Sequence, residues 1–254
     1  MCQITQNIRR MVASLDSAKH RRETGCFVVE GSKCVLDTWG YFTCRHLIAT
    51  PAWIERNPDI AKAGNAVKAT KADMERMSHL STPPQVMAVY ELPSYEISTV
   101  NPTENLVIAL DRVQDPGNLG TIMRIADWFG IRDIVCSPDT VDAFNPKVIQ
   151  ATMGAISRVR VHYTPLAEYL EANSGIAPVC GTFLDGNSIY GTSLPRNGII
   201  VMGNEGQGIS DEVARMVDCR LLIPPFPQGV ETSESLNVGM ATAIIVSEFR
   251  RRLL

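Results

Sequence analysis

The sequence predicts two α/β units in tandem, the second built on a parallel sheet covered on both faces. Three observations carry this expectation. Short apolar runs alternate with helical periodicities along the whole 254-residue chain. In the second half the runs are near-continuous in Val, Ile and Leu, the pattern of strands buried on both faces. Between the halves, LPSYEISTVNPTE (92–104) carries two prolines and little periodicity, as a connecting segment does. We therefore expect a first domain over 1–95, a linker over 96–104 and a second domain over 105–254.

From the N-terminus, Ile4, Ile8, Met11, Val12 and Leu15 form the stripe of one amphipathic helix over 4–20. Then follow CFVV (26–29), a helix near Lys33 to Trp39, HLIA (46–49), a helix after Pro51, AVKAT (66–70), a helix near Ala72 to Met77 and VMAVYEL (86–92). The second half runs LVIAL (106–110), a helix from about Leu119 to Phe129, DIVC (133–136), a helix around Val148 to Met153 and VRVHY (159–163). It continues with a helix from Leu166, PVCGTF (178–183), GIIVMG (198–203), a helix after Ser210, RLLIP (220–224) and a terminal helix from about Ser235.

Composition narrows the class. With 45% hydrophobic and 20% charged residues, Gly 18 and Pro 15, the chain is neither disordered nor collagenous nor of low complexity. The seven cysteines (Cys2, Cys26, Cys34, Cys44, Cys136, Cys180, Cys219) are odd in number and scattered, with no C-x-x-C pair and no histidine at zinc-ligand spacing. A reducing compartment and no metal are expected. No apolar run approaches the ~18 to 20 residues of a membrane span, and MCQITQNIRR lacks the apolar core of a signal peptide, so the protein is expected in the cytoplasm. The net charge of -3 gives no global sign of a polyanion partner, yet Arg9, Arg10, Lys19, Arg21 and Arg22 stand against the single acid Asp16 in residues 9–22. Such a patch can bind phosphates while the whole chain stays acidic; a solvated helix face is the plain alternative.

Three strand ends run directly into glycines and polar residues. In LDRVQDPGNLGTIMRIADWFG (110–130), Ile122, Ile125, Ala126 and Phe129 form the core stripe and Arg124 points away from it, as a functional or merely solvated arginine. In IIVMGNEGQGIS (199–210), glycines surround Asn204 and Glu205 at the end of a strand, where backbone amides approach ligands. It is neither G-x-G-x-x-G nor a P-loop, and Glu205 suits a cationic or zwitterionic ligand better than a phosphate; a glycine-rich turn with an exposed acid is the alternative. In LLIPPFPQGVETSESLNVGMATAIIVSEF (221–249), Ser233 or Ser235 is a candidate N-cap with Leu236, Met240 and Ile244 buried behind it, and Asn237 is a polar residue among apolar ones. The four histidines stand in no pattern with Ser, Cys or Asp, and no G-x-S-x-G or H-E-x-x-H occurs.

In this order the three segments resemble the three motifs of the SpoU/TrmH family of RNA ribose 2'-O-methyltransferases, within the SPOUT superfamily. Residues 104–254 resemble its catalytic domain throughout. The first part, with LDSAKHRRETGCFVVEG and PPQVMAVY, resembles the substrate-binding domain of many members, a small fold similar to ribosomal protein L30e. The resemblance implies a parallel sheet threaded into a deep trefoil knot, S-adenosylmethionine (SAM) as cofactor, an RNA substrate and a homodimer formed through the C-terminal domain. Residue by residue it implies catalytic roles for Asn118, Arg124, Glu205, Ser235 and Asn237. It places the SAM pocket around Thr182, Leu184, Met202, Gly203, Glu205, Gly206, Ile223, Leu236 and Asn237. Two departures lie beside that pocket: Gly239-Met240-Ala241 stands where many members have Ser-Val-Ala, and the loop from Ile223 to Ser235 is longer than in the shortest members.

Transfer of a methyl group to a ribose hydroxyl needs nucleophile, methyl carbon and sulfur in line, and a path for the proton. A guanidinium holds its proton too tightly to be a good base, so Arg124 is assigned to the target phosphate and to the developing alkoxide charge. Glu205 and Asn118 orient Arg124 or the ribose, and Ser235 and Asn237 hold the cofactor side. The rival from another class, a non-catalytic RNA-binding or ribosome-associated module on the same fold, predicts missing motif residues, and none is missing. A dinucleotide enzyme lacks its glycine fingerprint in both halves. Ribosomal RNA is favoured over tRNA by analogy with members that carry the N-terminal domain.

Overall fold

A computed structural model, which describes residues 3–227, 229–230 and 233–253, breaks the expected 4–20 helix in two: α1 (Gln6–Ser14) and α2 (Ala18–Thr24). Arg21 accounts for the corner. Its side chain is 2% exposed and donates from Nη1 to the carbonyls of Leu15 and Asp16 at 2.8 Å each, and from Nε and Nη2 to Asp142 Oδ2 at 3.1 and 2.6 Å. A chain that leaves the helix at Leu15 strands those carbonyls, and the guanidinium satisfies them. Arg21, expected on RNA, is thereby corrected to a buried structural cation. The apolar stripe itself is as expected, with Val12 and Leu15 buried and Ile4, Ile8 and Met11 packed against the same core. Of the cysteines named above, Cys2 lies outside the described residues.

The remaining elements of the first half are β1 (Cys26–Glu30), α3 (Ser32–Thr38), β2 (Cys44–Ala49), α4 (Pro51–Arg56), α5 (Pro58–Ala63), β3 (Val67–Lys68), α6 (Lys71–Met77) and β4 (Val86–Glu91). They form a sheet of order β1-β4-β2-β3, antiparallel except for the β2–β3 join. Next come β5 (Leu106–Leu110), α7 (Pro116–Trp128), β6 (Asp133–Cys136), α8 (Pro146–Thr152), β7 (Arg160–Tyr163) and α9 (Leu166–Ala172). The chain ends with β8 (Val179–Ser188), β9 (Gly198–Met202), α10 (Asp211–Ala214), β10 (Cys219–Leu222) and α11 (Val238–Arg251). The second sheet has the order β10-β8-β9-β5-β6-β7 and is parallel throughout.

Both faces of that sheet are covered, as the unbroken apolar runs require. Val107, Ala109, Val135, Ile199 and Val201 share a core with Leu166, Tyr169 and Leu170 of α9 and Val213 of α10. Their alternates Ile108, Leu110, Ile200 and Met202 are equally buried, on the opposite face by the period of a strand. The chain divides into two compact units, Met1–Ser94 with Asp142–Ser157, and Tyr95–Val141 with Arg158–Leu254. The segment 142–157, expected in the second domain, thus folds with the first: Asp142 receives Arg21, and the Phe144 ring lies 4.8 Å from that of Phe27. Among the described residues no helix is long and apolar enough to cross a membrane.

Candidate active site

The loop after β5 ends in a helix start that fixes Asn118. Asp115 caps α7 by accepting from the Asn118 amide at 2.8 Å, and Pro116 occupies the first helical position, where its missing N–H costs nothing. Asn118 Nδ2 then donates to Glu205 Oε1 at 2.7 Å.

Glu205 is presented by the loop 203–210 after β9. Gly203 has no room for a side chain, since a β-carbon there would lie 2.3 Å from the Gly208 carbonyl carbon. Asn204 and Gly208 exchange backbone hydrogen bonds of 3.0 and 2.9 Å, and Asn204 Oδ1 accepts from the amides of Gly206 and Gln207. The loop is a closed turn with Glu205 at its tip.

The third segment arrives through Asn237. Its Nδ2 donates to Asn118 Oδ1 at 2.8 Å while its Oδ1 accepts from the amides of Gly239 and Met240, so Asn237 caps α11. This corrects the expected cap at Ser233 or Ser235. It also rotates the helix: Leu236 and Met240, expected buried, are 49% and 64% exposed, and Ile244 is half-buried, while Val238, Thr242, Ile245, Val246 and Phe249 form the inner face. Gly239 has a packing reason, because a β-carbon there would come within 3.1 Å of Thr121 Cγ2 on α7.

Asn118, Glu205 and Asn237 are therefore joined by hydrogen bonds, whereas Arg124 and Ser235 are not part of the chain. Both are exposed, and neither side chain makes a hydrogen bond to a described residue. Arg124 follows Asn118 by six residues on the same helix, about 9 Å along its axis. Thr182, within β8, meets Met202 at the end of β9, with Thr182 Oγ1 3.8 Å from Met202 Sδ. Leu184 is 74% exposed, and Ile223 and Leu236 flank the loop after β10 with part of their apolar surface open. At Gly206 an added β-carbon would meet only Asn204 Oδ1, at 3.8 Å, so the loop backbone is accessible. Partly open apolar side chains for a purine, an exposed glycine backbone and a carboxylate suited to a cationic ligand fit SAM. Among the described residues no group of His, Cys, Asp and Glu is gathered as metal ligands.

The five basic residues of the first unit separate. Besides the buried Arg21, Arg9 is committed to Asp73, whose carboxyl is held down to about 2 by the hydroxyl and amide of Thr70 and then by Arg9. Arg10, Lys19 and Arg22 remain exposed, Lys19 3.8 Å from Glu23 and Arg22 bonded weakly to the Ala18 carbonyl. Sequence reasoning passed over Asp111, Arg112 and Asp115, which shape the site, and gave Asn204 no role of its own. Only Asp115 carried a local signal, an Asp-Pro pair opening a helix.

Comparison with known proteins agrees with this geometry. The SpoU rRNA Methylase family model matches residues 105–247, and an MRM3-like substrate binding domain model matches residues 6–88. The 23S rRNA (guanosine(2553)-2'-O)-methyltransferase RlmP of Bacillus subtilis is 29% identical over 248 residues, 93% of either chain. Among solved structures, a TrmH-family protein from Porphyromonas gingivalis is 40% identical with a TM-score of 0.89, over 99% of this chain and 100% of that one. An AdoMet-bound rRNA methyltransferase from Sinorhizobium meliloti is 27% identical with a TM-score of 0.87, over 100% of this chain and 98% of that one.

Proposed function

The chain belongs to the SpoU rRNA Methylase family, and we propose that it methylates a ribose 2'-hydroxyl of ribosomal RNA. It is a SAM-dependent RNA 2'-O-methyltransferase. The observation that carries the reading is the Glu205–Asn118–Asn237 hydrogen-bond chain, which ties the three motif segments together where the strands β5 and β9 end. SAM supplies an electrophilic methyl group on a cationic sulfur. In this reading Thr182, Ile223, Leu236 and the backbone of the 203–206 turn line its site, in the knot that the family resemblance implies.

The exposed Arg124 side chain makes no hydrogen bond to a described residue, which leaves its guanidinium to bind the target phosphate and to stabilise charge on the attacking oxygen. Glu205 and Asn118 face the ribose. Arg10, Lys19 and Arg22 of the substrate-binding unit take further phosphates, and a ribosomal substrate keeps the expected place of work in the cytoplasm. A homodimer would cover the exposed apolar side chains of the second unit: Trp128 at 85%, Tyr190 at 56% and Met240 at 64% exposure, with Phe129 and Ile244 beside them. The test is a map of 2'-O-methyl sites in rRNA and tRNA from a deletion strain. One rRNA site is expected to vanish; loss of a tRNA site with rRNA unchanged overturns the substrate assignment.

A further inference from the structure

The loop that presents Glu205 is held at three points by two residues at the end of β5. Asn204 Nδ2 donates to the Arg112 carbonyl at 2.8 Å, Arg112 Nη1 donates to Gln207 Oε1 at 3.1 Å, and the Ser210 amide donates to Asp111 Oδ2 at 2.6 Å. The outer two use a backbone carbonyl and a neighbour's carboxylate, so they survive any change of side chain at 112. The middle one does not. It is the only side-chain hydrogen bond of Arg112 among the described residues, beside an ion pair of its Nε with Asp111 Oδ1 at 3.3 Å, and it grips the loop two residues from Glu205, within about 7 Å of backbone.

Arg112 sits at φ 59, in the left-handed region where glycine or asparagine is least strained. Its amide is fixed there by Ser137 Oγ at 2.8 Å. A long side chain in this conformation must be offset by what it contacts. A phosphate is a poor explanation, because the adjoining cleft of about 320 Å³ sets Asp111, Asp139, Glu168 and Glu212 around the single guanidinium. We propose that Arg112 is a positioning residue for methyl-donor binding: through Gln207 it sets the 203–208 turn, and with it Glu205, before SAM arrives. The proposal rests on the SAM-dependent reading above.

The test uses the full-length protein and three variants. Arg112→Gly removes the grip, the left-handed strain and the ion pair with Asp111, and Gln207→Ala removes the grip alone, without touching residue 112. In both, the calorimetric Kd for SAM is expected to rise about three- to ten-fold, the cost of one charge-assisted hydrogen bond partly screened by water. Amides 206–208 should exchange faster by a similar factor before SAM is added. The double variant should be no worse than either single one. Gln207→Glu, which keeps an acceptor for Arg112, should retain the wild-type Kd. An unchanged Kd in both single variants overturns the proposal. So does an Arg112→Gly protein that melts early while Gln207→Ala binds SAM normally, or one that loses affinity for undermethylated rRNA with its SAM affinity intact. A folded wild-type protein that fails to bind SAM overturns the functional reading as well, which none of the variant outcomes does.

Discussion

Replacing Asn237 by aspartate separates two tasks that one carboxamide performs. Its Oδ1 accepts from the Gly239 and Met240 amides at 3.0 and 3.2 Å, and its Nδ2 donates to Asn118 Oδ1 at 2.8 Å. The polarity of the chain is fixed from both ends. Helix amides only donate and the Glu205 carboxylate only accepts, so each carboxamide between them must turn its nitrogen toward Glu205. An aspartate at 237 still caps α11, and its charge at the helix N-terminus is favourable by about 0.3–1 kcal/mol. The cap itself is therefore not what the substitution weakens. What aspartate cannot do is donate. Its oxygen would face Asn118 Oδ1, so a bond worth about 1 kcal/mol is lost. When Asn118 turns round to relieve the contact, the charge-assisted bond to Glu205, about 1.5–3 kcal/mol, is lost too. The sum of roughly 3 kcal/mol corresponds to about a hundred-fold in kcat/KM. Methyl transfer from tritiated SAM to undermethylated rRNA, beside a thermal melt, reads both quantities. Asn237→Ala serves as the contrast, losing the cap by about 1 kcal/mol as well as the activity. An Asn237→Asp enzyme within three-fold of wild-type kcat/KM would refute the role given to the chain.

Arg21→Met removes four hydrogen bonds around a side chain that is 2% exposed. Because Asp142 is partly solvated, the loss comes mainly from the Leu15 and Asp16 carbonyls, about 3–5 kcal/mol, read as a lower urea midpoint; an unchanged midpoint with weaker RNA binding would restore Arg21 as a phosphate contact. Neutralising Arg10 and Arg22 should leave stability and SAM affinity unchanged and flatten the salt dependence of RNA binding by about one unit of slope per lost phosphate contact. Arg124→Ala should leave SAM affinity intact and reduce turnover by a factor on the order of a hundred; full turnover would contradict its assignment. His79 is raised above its ordinary 6.5 by the hydrogen bond from Nδ1 to Glu30, with the Ala13 carbonyl accepting at Nε2. The stabilisation is thus complete below pH 6.5 and lost as pH rises through the raised value, so the thermal midpoint should fall above that pH in wild type and stay flat in His79→Gln.

The parts legible in the sequence were those written locally or in fixed order. LVIAL and GIIVM became fully buried parallel strands because unbroken β-branched runs leave no solvent face. Asn118, Glu205 and Asn237 were singled out through motif order, and their mutual hydrogen bonds span 87 and 119 residues, which no local periodicity encodes. The misreadings have the same origin. Arg21 looked like its basic neighbours until Asp142, 121 residues away, closed over it. Three polar residues, Ser233, Ser235 and Asn237, could each cap α11, and the choice was made by a partner on α7 that only the fold supplies. Arg112 was passed over because its left-handed backbone is imposed by Ser137 and by the turn it holds. A residue whose conformation runs against its own preference is evidence for a tertiary demand, and here that demand comes from the loop carrying Glu205.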